Sequence, residues 1–391
     1  MSKSIPAIVT PDVLVWAREL DSISIEDAAA KMNTTPLEIE GWENGTIYPS
    51  LSQAKKLAKF YKVPFAYFYL PDIPQKKKRI QTKDYRTFGN IGNNFSISRE
   101  LKWFLRDVEE RRDAMILLYQ SEELNPIRFP VLLDTSAGED EIADTIRSLI
   151  ELTPEQQIKF RKPEKALSYF INVLEKYDVL VFQAVKISPS EMRGLSLAYD
   201  FFPIIALNRK EEQSSRLFTL CHELVHIVTR TSGICNSISD KLSPQDDWEM
   251  MCNRIAGKVL VSDRDLHMHP VFPIMRQSRF DDADIIRLSR DFAVSKEVIL
   301  HRLWDVGVIS KSFYFDTLDR YTEEYMASKE KRPKGSGGPS PAVDKGSQVG
   351  KLYAKTVLSA LNSERISARD ASYYLLNLKT THFSKLERWC F

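Results

Sequence analysis

The sequence predicts a mostly helical α+β chain built from several domains, and three observations carry that prediction. Short amphipathic helical patterns fill residues 11 to 63, buried-strand patterns occur at 178 to 182 and 202 to 208, and helical periodicity returns from 281 onward. A length of 391 residues exceeds what one ordinary core supports, so two or three domains with linkers are expected.

The N-terminal pattern places apolar residues at Leu14, Ala17 and Leu20, at Ile23, Ala28, Ala29 and Met32, at Ile39 and Trp42, and at Leu51, Ala54, Leu57 and Phe60. That spacing suits a compact bundle of about five helices. Ser24 with Asp27 reads as an N-cap and its box partner, Thr35-Pro36 opens the next helix, and Gly45 closes it. After Leu70 the chain changes to Pro71-Asp72-Ile73-Pro74 and then the basic run Lys76 to Arg79, which marks a boundary. The expected organisation is therefore a bundle over 1–70, then a linker and connecting helix over 71–125, the helix running from about Ser98 to Tyr119. A main domain over 126–327 follows and includes a helix, turn and helix at 281–309 with Ser295 as N-cap. Residues 328–348 read as a flexible linker and 349–391 as a C-terminal helical segment.

Composition narrows the function classes. With 55 basic and 53 acidic residues the net charge is +2, which excludes coating of nucleic acid or anionic membrane by bulk electrostatics and leaves only local binding. No stretch approaches the ~18 to 20 apolar residues of a membrane span, and Met1 to Pro6 contain no apolar signal core. A cytoplasmic chain is expected. Cys221, Cys235, Cys252 and Cys390 include no CxxC pair, so neither a disulfide framework nor a cysteine zinc knuckle is expected.

The chemistry concentrates at His222-Glu223-Leu224-Val225-His226. On a helix, positions i and i+4 share a face, so both imidazoles can reach one Zn²⁺ while Glu223 reaches a water beside it. A chain with 6 His and 53 acidic residues produces this pattern by chance roughly 0.012 times, so the motif is already specific. A catalytic zinc needs a third protein ligand and an open position. The helical stretch 244 to 261 offers Glu249 first, at the edge of an apolar face formed by Cys252, Ile255, Ala256, Val259 and Leu260. Cys252, Asp246 and Asp247 are the alternatives. Arg230, His267 and His269 are candidate donors to a developing oxyanion.

These residues resemble the ImmA/IrrE family of bacterial and phage zinc metallopeptidases. The resemblance rests on the strand Pro203 to Asn208, the run Phe218 to His226, and Glu249-x-x-Cys252-Asn253-x-x-Ala256, and covers about 165 to 310. It implies a zincin-like domain with a small sheet, His222, His226 and Glu249 as zinc ligands, and Glu223 as general base. It also implies that the strand at 203–208 lies beside the cleft and could hold an extended substrate by β-addition. Family members cleave helix-turn-helix repressors that control stress or mobile-element genes, so the expected partner is such a repressor or a toxin–antitoxin regulator.

The first 70 residues look like an XRE-type helix-turn-helix, through Leu14-x-x-Ala17-Arg18, Ser24-x-Glu26-Asp27-Ala28-Ala29 and Trp42-Glu43-Asn44-Gly45. Its recognition helix would run from Thr35 to Glu43, with Thr34, Thr35, Glu38, Glu40 and Asn44 as the DNA-facing candidates. That helix carries Glu38 and Glu40 but no Lys or Arg, and Ile25 replaces a usual Gln. DNA binding therefore competes with a role in protein docking or homodimerisation. Two readings result: a regulatory zinc endopeptidase that cleaves a specific protein, or a DNA-binding regulator or antitoxin whose peptidase-like domain senses without cleaving.

Overall fold

A computed structural model of the chain describes residues 6–21, 23–74, 98–231, 233–235, 244–273, 281–331 and 338–391. The basic run Lys76 to Arg79 lies outside them. The chain divides into two compact units, Met1–Leu105 and Arg106–Phe391.

The first unit contains α1 (Pro11–Glu19), α2 (Ile25–Met32), α3 (Pro36–Glu43) and α4 (Leu51–Phe60), followed by a 3-10 turn at Phe65–Tyr69. Local chemistry sets these ends: Ser24 and Thr35 accept from the backbone N–H of Asp27 and Glu38, and Ser50 with Gln53 forms a reciprocal capping box. Asp27 itself is not a box partner for Ser24; its carboxylate pairs with Arg99. Gly45, at φ +74°, supplies the left-handed turn after α3. Val13, Leu14, Ala17, Ala28, Ile39, Trp42, Leu57 and Phe68 close the core.

Helix α5 (Arg99–Ser121) starts in the first unit and continues into the second, which adds α6 (Glu139–Leu149), α7 (Pro154–Phe160) and α8 (Pro163–Glu175). Four strands follow around the central helix: β1 (Leu180–Ala184), β2 (Gly194–Leu197), β3 (Ile204–Asn208), α9 (Gln213–Thr229) and β4 (Gly233–Cys235). Then come α10 (Pro244–Leu260), α11 (Asp263–Met268), α12 (Asp282–Phe292), α13 (Lys296–Asp305), α14 (Lys311–Lys331), α15 (Pro341–Val349), α16 (Lys351–Asn362), α17 (Ala368–Tyr374) and α18 (Phe383–Cys390). Ser295 caps α13 as expected, accepting from Val298 N–H.

The sheet order is β1-β3-β2-β4, with β1 parallel to β3 and the other two pairings antiparallel. Strand alternation divides its two faces. Val181, Ile205 and Leu207 join Leu220, Leu224, Ile255 and Val259 in the main core, whereas Phe182 turns the other way, edge-on to Tyr353 of α16. The residues of β3 are all buried, and both of its edges are hydrogen-bonded. This overturns the expectation that the strand at 203–208 receives a substrate strand: no backbone group there is left to pair. Among the described residues the sheet ends instead at β1 and β4.

The C-terminal segment occupies the β1 end. Leu180 donates to Pro203 O and Ala184 accepts from Arg209 N–H, so residues 180 and 184 face β3 and the Val181 carbonyl points outward. Gly350 sits against that carbonyl: a Cβ there would lie 2.6 Å from Val181 O, and its φ is +81°. Glu175 of α8 accepts from Leu352 N–H at 3.0 Å, and Arg209 pairs with Asp344 of α15. The expected linker over 328–348 is correspondingly shorter, because α14 continues to Lys331 and α15 begins at Pro341. Residues 332–337 of it lie outside the described residues. Gly350→Ala combines a left-handed φ with a backbone collision, so it should cost about 1–3 kcal/mol. A thermal-melt shift of several degrees downward checks this, and an unchanged Tm would contradict the close approach.

Candidate metal centre

Helix α9 is buried on every face from Thr219 to Thr229, between α8, α10 and strands β2 and β3. Burial all round removes the polar face of an ordinary surface helix, so each polar side chain on it requires a partner. His222, Glu223 and His226 are 1%, 0% and 3% exposed. The crossing helix α10 is fixed to α6 by Arg254–Glu139 and Lys258–Asp140 contacts, both at 2.7 Å. The buried Arg302 of α13 bonds Val261 O at 2.9 Å, just past the end of α10, and occupies the space left by the missing side chain of Gly257. Glu249 is thereby held over the two histidines.

The three side chains converge. His222 Nε2 lies 3.1 Å from Glu249 Oε2, His226 Nε2 lies 3.5 Å from Glu249 Oε1, and the two Nε2 atoms are 3.2 Å apart. These residues form the one His/Cys/Asp/Glu group among the described residues that could hold a metal ion. Each imidazole turns Nδ1 outward to an oxygen at 2.9 Å, Asn253 Oδ1 for His222 and Thr231 Oγ1 for His226. An Nδ1 that donates outward leaves Nε2 with a lone pair, so two lone pairs and a carboxylate face one point. Such a set repels itself unless a cation fills it, and it matches the nitrogen and oxygen donors that Zn²⁺ accepts.

Glu223 does not join the group. Its Oε2 accepts a 2.6 Å hydrogen bond from Ser196 of β2, and among the described residues its buried Oε1 has no hydrogen-bond partner. Gly194 makes the room, since a Cβ there would lie 2.4 Å from Oε1 and from Thr219 Cγ2. Burial raises the Glu223 carboxyl, and the Ser196 hydrogen bond opposes that rise.

The other sequence candidates fall elsewhere. Cys252 is fully buried in the main core with Ile255 and Ala256, Asp247 stands exposed, and the side chain of Asp246 lies outside the described residues. Burial pushes the Cys221 thiol far up, so it is an inert core residue. Arg230 pairs with Asp200, His267 contacts Asp263 O at 2.6 Å, and His269 faces Asp291 at 3.4 Å. None of the three has a contact with the convergent group among the described residues. Sequence reasoning missed Ser196, Gly194, Thr231 and Trp248. Asn253 alone carried a signal, as part of the spacing that follows Glu249.

In the first unit, Glu38, Glu40 and Leu37 of α3 are exposed, Leu37 by 76%. Thr35 Oγ1 caps Glu38 N–H, Asn44 Oδ1 accepts from Thr46 N–H, and the Thr34 hydroxyl is turned inward, buried with no partner among the described residues. Glu43 is taken up by a two-pronged bond with Arg18 at 2.7 and 2.9 Å. Among the described residues, only Glu38 and Glu40 of the five DNA-facing candidates present polar side chains with no partner, and both are acidic.

Residues 175–304 match the peptidase M78 family, described as the IrrE N-terminal-like domain, and residues 14–68 match the family described as helix-turn-helix. No curated protein and no solved structure matches the chain. No helix among the described residues is long and apolar enough to cross a membrane.

Proposed function

We propose that this chain, which joins a helix-turn-helix domain to an IrrE N-terminal-like peptidase domain, is a regulatory zinc endopeptidase that cleaves a specific protein partner. The observation that carries this reading is the convergence of His222 Nε2, His226 Nε2 and the Glu249 carboxylate on one point, with Glu223 placed one residue along the same helix. His222, His226 and Glu249 would hold the ion. A zinc ion bound there supplies Lewis acidity, polarising a scissile carbonyl and making water acidic enough to attack near neutral pH.

The protein's own groups perform the proton transfers. Ser196 donates to Glu223 Oε2, which leaves Oε1 as the atom that takes a proton from the attacking water and then delivers it to the leaving amine. Asn253 and Thr231 keep the two imidazoles oriented. An extended peptide adds to the sheet at β4, because β3 is internal and the C-terminal segment occupies β1. Metal analysis of the purified chain, with a cleavage assay on candidate helix-turn-helix repressors, tests the proposal. A chain without stoichiometric zinc sinks it.

A helix-turn-helix match suggests DNA as a second partner, but the acidic and apolar face of α3 favours protein docking by this unit. Glu38→Lys combined with Glu40→Lys should therefore raise DNA affinity and steepen its salt dependence, by a slope of about 0.9 for each new phosphate contact. Fluorescence anisotropy with duplex DNA across a salt series measures both. Tight, steeply salt-dependent binding by the wild type, unchanged in the double variant, would show that α3 is not the limiting surface.

A further inference from the structure

Helix α9 ends at Arg230, whose φ of +55° turns the chain back so that Thr231 N–H donates to His226 O at 2.9 Å. The Thr231 hydroxyl then meets three groups: His226 Nδ1 at 2.9 Å, Thr229 Oγ1 at 3.0 Å and Trp248 Nε1 at 3.3 Å. Donor counting points to one arrangement of the protons. An indole N–H only donates, so Trp248 takes one lone pair of the Thr231 oxygen. Thr229 directs its own hydroxyl proton to Val225 O at 2.8 Å, so its oxygen faces Thr231 as an acceptor and receives the Thr231 proton. Only a lone pair of Thr231 remains for His226. In that arrangement Nδ1 carries the hydrogen, and Nε2 is left bare.

We propose that Thr231 is a positioning residue that locks His226 in its metal-binding tautomer and, through Trp248, ties the helix that carries Glu249 to the end of α9. Trp248 immediately precedes Glu249, so one hydroxyl connects the second imidazole to the carboxylate arm of the same centre. This inference rests on the reading of the centre as a zinc site. The site comes from the three converging groups; the added claim is that its affinity depends on a hydroxyl that does not touch the ion.

Zinc binding by the full chain, stripped with a chelator and titrated against a chromophoric competitor, tests this without any substrate. Wild type should bind one zinc, and Thr231→Val, which keeps the shape but loses the acceptor, should bind about 10- to 100-fold more weakly. Thr231→Ser restores the hydroxyl and should return the affinity to near the wild-type value. The visible absorption of the cobalt-loaded chain should likewise differ in the Val variant and match wild type in the Ser variant. Unchanged affinity in Thr231→Val, or an equal loss in Thr231→Ser, overturns the proposal. Wild type that takes up no zinc removes the metal reading together with this one. Should circular dichroism show that Thr231→Val is unfolded, Thr229→Val carries the test. It frees the Thr231 proton to turn toward Nδ1 and must also weaken zinc binding, and unchanged affinity there overturns the proposal.

Discussion

Glu223→Gln is expected to lower peptide-bond cleavage by roughly 10²- to 10⁴-fold while the chain still binds one zinc. Glutamine keeps the size of the side chain and can still meet the Ser196 hydroxyl, but its amide cannot take a proton from water. Because Glu223 lies outside the His222, His226 and Glu249 group, removing its charge leaves the three proposed ligands in place. Cleavage of the partner followed by gel and mass spectrometry, with zinc measured on the same preparation, separates the two effects. Activity that survives the substitution would mean that Glu223 is a structural carboxyl.

The second large effect concerns Glu249→Gln. Loss of a group that only supports a ligand weakens metal binding by 10- to 100-fold, so loss of the anionic ligand itself should weaken it by more than about 100-fold. The physical reason is charge as well as count: two neutral imidazoles alone neutralise nothing. Zinc at a hundred times its dissociation constant should stabilise the wild type by about 2.7 kcal/mol, and the same concentration should leave the variant near its metal-free stability. A thermal-shift series with added zinc reads this directly. An equal shift in both chains would move the third ligand elsewhere.

Legibility in the sequence follows the reach of each signal. Periodicity and caps are local, so α2, α3, α10 and α13 lie where the pattern places them, and i, i+4 spacing placed His222 and His226 on one face. Glu249 was also within reach, because a carboxylate bordering an apolar stripe is unusual. Gly194-Leu195-Ser196-Leu197 was not: a short strand with Gly and Ser has no hydrophobic run, and its role arises only when β2 crosses α9. Ser196 and Gly194, which hold and make room for Glu223, were hidden for that reason. Thr231 and Trp248 were hidden because their meaning is a three-way hydrogen bond between the end of one helix and the start of another. The central place of β3 is likewise a property of strand order, which alternation along one strand does not encode.

The contact between Gly350 and the Val181 carbonyl also bears on where the gene can be shortened. Residues 341–391 look dispensable to a peptidase centred on α9, yet ending the chain before α15 would uncover the outward carbonyl of Val181 and the ring of Phe182, which lies wholly buried beside Tyr353. A bare apolar rim recruits strands from other molecules. A shortened chain would keep its histidines in sequence and still be lost to aggregation, so insolubility of such a fragment would be no sign that the tail takes part in cleavage.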